Sequence, residues 1–164
     1  MEKLFAPGDL APDFRASAIG GQYGDAVQEV CLADFRDRPV ILYFYPKDDT
    51  PGCTIQACDL RDHYAQVLAQ GAVVFGVSID TIESHRKFIK NHSLPFALLS
   101  DEGHRIADAY GVWVEKQLYG KTFMGTERST FVIRPDGRIK SIFRKVKPTT
   151  HTDNLLEDLR RFEP

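Results

Sequence analysis

Tyr43-Phe44-Tyr45-Pro46-Lys47-Asp48-Asp49-Thr50-Pro51-Gly52-Cys53-Thr54-Ile55-Gln56-Ala57-Cys58 joins two different sequence patterns. Upstream, Pro39 opens the run Val40-Ile41-Leu42-Tyr43-Phe44-Tyr45, apolar at every position and rich in β-branched and aromatic residues. Such a run reads as a strand covered on both faces. Downstream, Ala57, Leu60, Tyr64, Val67 and Leu68 recur at helical spacing as far as Gly71, which predicts a helix over residues 53–69. A short polar loop, residues 47–52, lies between them.

The pattern repeats further on, with a strand at 73–78, a helix at 82–90, a short strand at 97–99 and a helix at 104–110 stopped by Gly111. Alternation of this kind predicts an α/β sheet with right-handed crossovers. Before the quoted stretch the chain is irregular: Gly20-Gly21 and Gly24 mark turns, with short strands at 14–17 and 27–31. At the other end, strands at 129–134 and 138–144 flank Pro135-Asp136-Gly137 as an antiparallel hairpin. A last amphipathic helix uses Leu155, Leu156, Leu159 and Phe162, with Thr150 and Asp153 in capping-box spacing. The expected architecture is a single domain over 1–164, a central mixed β-sheet flanked by helices.

Composition narrows the function. The chain has 164 residues, 43% apolar and 27% charged, which suits one ordinary globular domain. Its 21 basic and 23 acidic residues give a net charge of −2, too near balance for nucleic acid or an anionic membrane as the main partner. Charged Glu2 and Lys3 and the absence of a long apolar run in 1–10 argue against a signal peptide. The longest apolar run is far short of a membrane span. A cytoplasmic protein is expected. Three cysteines cannot make a disulfide framework, so two close together in a reducing compartment point to chemistry or metal binding.

The chemistry centres on Cys53, in the first turn of the predicted helix. Unpaired N–H groups and the dipole at a helix N-terminus favour an anion, so a thiol placed there is drawn toward the reactive thiolate. Thr50, three residues earlier, can set its hydroxyl beside the sulfur. Pro46 and Pro51 stiffen the loop and remove two N–H donors.

Pro46-x-x-x-Thr50-x-x-Cys53 resembles the active-site signature of the peroxiredoxins, and Tyr43 to Arg61 is similar to their bacterioferritin-comigratory or Q-type branch. The likeness extends to Ala11-Pro12-Asp13-Phe14, Leu98-Leu99-Ser100-Asp101, Tyr110-Gly111-Val112-Trp113 and Arg128-Ser129-Thr130-Phe131-Val132-Ile133 with Asp136-Gly137. It implies a thioredoxin-like fold and a thiol-dependent peroxidase that reduces hydrogen peroxide and organic hydroperoxides. Cys53 would be the peroxidatic cysteine, Thr50 its hydroxyl partner, Pro46 the shield of the pocket and Arg128 the nearby cation. Cys58 would resolve the Cys53 sulfenic acid as an intramolecular disulfide. The resemblance also implies a thioredoxin-type dithiol reductant, a monomer, and no bound cofactor. Gln56 stands where many members carry Glu, which leaves one less charge near the thiolate. Cys31 matches no motif and reads as a partly buried structural thiol.

Three other readings fit less well. A thioredoxin-like disulfide oxidoreductase without peroxidase activity would carry Cys-x-x-Cys, whereas four residues separate Cys53 from Cys58. A metal site from Cys53, Cys58 and His63 fails because side chains five apart on a helix splay by about 140°. His85, His92, His104 and His151 form no His-x-x-x-His pair and are expected on the surface. A binding module built on the aromatic-rich stretch from Trp113 to Met124 is the third, although those side chains are expected to wall the pocket or pack the core.

Overall fold

All five residues of strand β3 (Val40–Phe44) are buried because the strand lies inside a seven-stranded sheet with helices over both faces. The computed structural model describes residues 5–160. In chain order the elements are β1 (Arg15–Gly20), β2 (Gln28–Cys31), β3, α1 (Pro51–Asp62), α2 (Tyr64–Ala69), β4 (Val73–Ser78), α3 (Ile82–His92), β5 (Ala97–Ser100), α4 (Arg105–Ala109), β6 (Trp113–Leu118), β7 (Lys121–Thr126), β8 (Ser129–Ile133), β9 (Ile139–Phe143) and α5 (His151–Arg160). The sheet runs β2-β1-β5-β4-β3-β8-β9. Strands β3, β4 and β5 are parallel, while β8 pairs antiparallel to β3, β9 to β8, and β1 to β5. The mixed sheet expected from the sequence is the one observed.

Alternation along β3 divides its side chains between two cores. Val40, Leu42 and Phe44 join Phe75, Ile106 and Tyr110 on the α4 face. Ile41, Tyr43 and Tyr45 join Cys53, Ala57 and Leu60 of α1, Phe88 of α3 and Leu155 and Leu159 of α5 on the other. Tyr43 pairs in register with Gly76 of β4, and a Cβ at Gly76 would lie 2.8 Å from the tyrosine ring and 2.7 Å from Leu98 Cδ2. The glycine makes room for the ring. Because β3 and β8 are antiparallel neighbours, with Phe44 opposite Ser129, the C-terminal end of β3 lies beside the start of β8.

Three expectations need correction. The helix expected over 53–69 begins at Pro51 and breaks at His63, whose Nδ1 bonds the Asp59 carbonyl (2.8 Å) while its backbone N–H turns to Leu60 O (3.2 Å). The side chain thus takes up the carbonyl that would have continued the helical ladder. Thr150 enters α5 through its carbonyl, which accepts from Asn154 N–H (3.2 Å), with no hydroxyl cap among the described residues. The aromatic-rich stretch forms β6 and β7, a separate two-stranded hairpin; Trp113 packs against the core as expected, whereas Leu118, Tyr119, Phe123 and Met124 are exposed. Tyr119 and Gly120 at its tip both have positive φ (52° and 77°), the conformation a type I′ turn requires. The readings of Glu2, Lys3 and Phe162 lie outside the described residues.

Candidate active site

Past β3 the chain keeps one more sheet bond, Tyr45 N–H to Val77 O (3.0 Å), and then turns at the partly buried Pro46. Asp48 is buried, and the loop is anchored through it. Its carboxylate accepts from Tyr45 Oη (2.6 Å) and Ser84 Oγ (2.8 Å), and His85 Nδ1 lies 2.7 Å from Oδ2. Its own N–H donates to Asp80 Oδ2 (2.8 Å). Burial, and then the Asp48 carboxylate, push the Tyr45 hydroxyl well above the ordinary tyrosine range, so it acts as a donor. Asp49 takes a left-handed conformation (φ 59°), and Thr50 follows as the N-cap of α1 with Pro51 in the first turn.

Cys53 is therefore the third residue of α1, 2% exposed, with its sulfur over the Tyr43–Tyr45 core. Arg128, the residue before β8, reaches it from the neighbouring strand: Nη2 donates to Cys53 Sγ (3.3 Å) and Nη1 to Gln56 Oε1 (2.6 Å). The guanidinium can lie this close because residue 52 is glycine, where a Cβ would sit 3.2 Å from Nη2. Gln56 is fully buried and holds the fork by its carbonyl oxygen, while its Nε2 has no partner among the described residues. A cation and a helix N-terminus converge on one sulfur, which is the environment that stabilises a thiolate. Outside it lies a groove of about 710 Å³ lined by Val114, Lys116, Arg128 and Val146 among others. Burial, and then Arg128, lower the pKa of Lys116 from the ordinary lysine value, while Cys53 acts in the opposite direction.

Cys58 is half-buried on the same intact helix, and Cys31, Cys53 and Cys58 are all free thiols. Thr50 stands at the expected place, but its hydroxyl donates to Lys47 O (2.8 Å). The structure thus brings Cys53, Arg128 and Gln56 into contact, with Thr50 and Pro46 in the loop beside them. Cys53, Cys58 and His63 do not form a ligand group; among the described residues the one such grouping is Asp48, Asp80 and His85, where the Asp48 carboxylate bonds Tyr45, Ser84 and His85, and Asp80 Oδ2 accepts from Asp48 N–H and Ser78 Oγ. Two histidines expected on the surface are buried. His85 Nε2 bonds Leu99 O (2.9 Å), and His151 Nε2 bonds Thr130 Oγ1 (2.8 Å). Burial, and then Arg128, push His151 down to about 4. Sequence reasoning also missed Asp48. The signal for the histidines was their spacing: His85 precedes Phe88 by three and His151 precedes Leu155 by four, so each lies on an apolar stripe.

Comparison with known proteins gives the family. Residues 7–142 match the AhpC/TSA family. The chain is 44% identical over 153 residues to peroxiredoxin Bcp of Bacillus subtilis, covering 93% of this chain and 94% of the relative. It is 42% identical, with the same coverage, to peroxiredoxin Bcp of Escherichia coli. Its structure is similar to that of the bacterioferritin comigratory protein of Xanthomonas campestris (TM-score 0.82, 34% identity, 91% of each chain) and to PrxQ of Xylella fastidiosa (TM-score 0.87, 30% identity, 98% of each). With the signature, the sheet and the site all in place, the chain belongs to the AhpC/TSA family and, within it, to the peroxiredoxins of the Bcp or Q branch.

Proposed function

We propose that this thiol peroxidase reduces hydrogen peroxide and organic hydroperoxides with Cys53 as nucleophile and Cys58 as resolving thiol. The observation that carries the reading is the Arg128 guanidinium 3.3 Å from a sulfur in the first turn of α1. The Cys53 thiolate attacks one peroxide oxygen. An S–O bond forms and the O–O bond breaks. The departing oxygen takes a proton and leaves as water or an alcohol, and the cysteine is left as a sulfenic acid. Arg128 offers charge to both the thiolate and the developing oxyanion. Thr50 turns its hydroxyl from Lys47 toward the bound oxygen, and Pro46 shields the pocket.

Cys58 then displaces the sulfenic oxygen as water and forms a Cys53–Cys58 disulfide. A dithiol of the thioredoxin type returns both to thiols and is itself oxidised. The alkyl peroxide activity named for the Xanthomonas relative supports the substrate class. We place the enzyme in the cytoplasm as a monomer. No helix among the described residues is long and apolar enough to cross a membrane.

Thiol counting by mass spectrometry tests the scheme. One equivalent of peroxide is expected to consume Cys53 and Cys58 together and to leave Cys31 free. In Cys58→Ser a Cys53 sulfenic acid is expected to accumulate and turnover with a dithiol to be poor. Two surviving thiols at positions 53 and 58 would refute it.

A further inference from the structure

The resolving step demands a local opening of α1. Residues five apart on a helix are separated by about 7.5 Å along the axis and turned by about 140°, giving Cα atoms roughly 8–9 Å apart. A disulfide needs them within about 7 Å. Helix α3 touches the segment that must open at three points, and the contacts differ in kind. Asp48, just before the segment, is 6% exposed and held by four bonds: its N–H to Asp80 and its carboxylate to Tyr45, Ser84 and His85. His85 is itself fixed from behind, because the Leu99 carbonyl can only accept and so Nε2 carries a proton. One residue on, Asp49 Oδ1 meets His92 Nε2 (2.9 Å) near the surface. At the far end of the helix, Arg61 Nη1 donates to the carbonyl of the same His92 (2.6 Å). His92, the last residue of α3, thus grips the chain on both sides of Cys53 and Cys58.

We propose that α3 sets the limits of the opening: Asp48, locked by His85, is a fixed pivot, and His92 is a latch that opposes the opening of residues 49–61. The inference rests on the disulfide reading above. A buried, multiply bonded carboxylate is costly to release, whereas one partly exposed pair and one side-chain bond to a carbonyl part more easily. The opening therefore runs from Asp49 and leaves β3 and the loop up to Asp48 in place. His92 and Arg61 are positioning residues for the resolving step and touch neither sulfur.

Rapid-mixing kinetics on His92→Ala, Arg61→Ala and the double variant separate the two steps. The peroxide step is expected to be unchanged and the sulfenic-to-disulfide step to be faster by roughly two- to fivefold per contact. The peroxide concentration that over-oxidises half the enzyme is expected to rise by the same factor, since a shorter-lived sulfenic acid meets fewer second peroxides. Hydrogen exchange on the wild-type disulfide form should show protection lost across 54–60 and retained at the amides of Tyr45 and Asp48. An unchanged resolving rate in all three variants overturns the latch, and exchange spreading to Tyr45 and Asp48 overturns the pivot. A wild-type protein that consumes peroxide but forms no Cys53–Cys58 disulfide overturns the resolving role of Cys58, and the latch with it.

Discussion

Strand β3 and helix α1 meet at Cys53 and are built on opposite terms. The strand is buried at every residue and bonded on both sides, to β4 and β8. The helix buries only Cys53, Gln56, Ala57 and Leu60, leaves Ile55 about half exposed, and ends after three turns at His63. One is a floor that cannot move without breaking two sheet edges; the other is a roof fixed along a narrow stripe. A peroxidase of this kind needs both. The floor keeps Arg128 aimed at the sulfur, and in the proposed scheme the roof lifts so that Cys58 can arrive.

The sharpest way to break this arrangement is to remove its meeting point. Cys53→Ser is expected to abolish peroxide consumption while leaving the circular dichroism spectrum unchanged, and full activity in that variant would end the assignment. Next in size is Arg128→Ala. A hydrogen bond to a charged group contributes about 1.5–3 kcal/mol, so the peroxide step should slow by roughly 10- to 100-fold in stopped-flow measurements. Arg128→Lys should recover only part of this, because an ammonium cannot reach Gln56 and Cys53 together.

The interior under the roof can be probed with acid. Burial first and Arg128 second push His151 down to about 4 in the fold, from the ordinary histidine value of 6.5. Above pH 6.5 the imidazole is neutral in both folded and unfolded chains and contributes nothing. As pH falls from 6.5 to about 4, the unfolded chain gains a proton that the folded one refuses. Stability should drop over that window by about 3 kcal/mol. Urea unfolding at pH 7 and pH 4 should give a difference smaller by about that amount in His151→Gln than in the wild type. The smallest effect belongs to Gly52→Ala, whose methyl would stand 3.2 Å from Arg128 Nη2. The guanidinium must yield by a few tenths of an ångström, and a peroxide step slower by roughly 2- to 5-fold is expected, the size of a fraction of one charged hydrogen bond.

Much of this was legible in the sequence because it depends on local pattern. The strand ending at Tyr45, the cysteine opening a helix, and the Pro135-Asp136-Gly137 hairpin each follow from neighbouring residues alone. Arg128 was reachable only through the resemblance, since 75 residues separate it from Cys53 and only the β3–β8 pairing brings them together. The break at His63 was hidden because it comes from a side chain capturing the Asp59 carbonyl, which periodicity does not register. The buried histidines were misread because ring nitrogens look polar in a sequence, although in the fold Leu99 O and Asp48 engage both nitrogens of His85 and Thr130 meets Nε2 of His151. The β6–β7 hairpin was missed because its tip pairs Tyr with Gly and its exposed aromatics look like core residues.

The contact between Gly76 and the Tyr43 ring has a consequence for how this sequence can change. A side chain at 76 has no direction in which to grow, with the ring on one side and Leu98 on the other. Any replacement there would have to wait for a smaller residue at 43, and a smaller residue at 43 leaves a void beneath Cys53 until 76 is filled. Positions 43 and 76 should therefore drift together or not at all. The exposed face of α1, at Pro51 and Ile55, meets no such constraint. Variation tuned to new peroxides should accumulate on the helix and in the groove around Lys116, above a pair of strands that stays as it is.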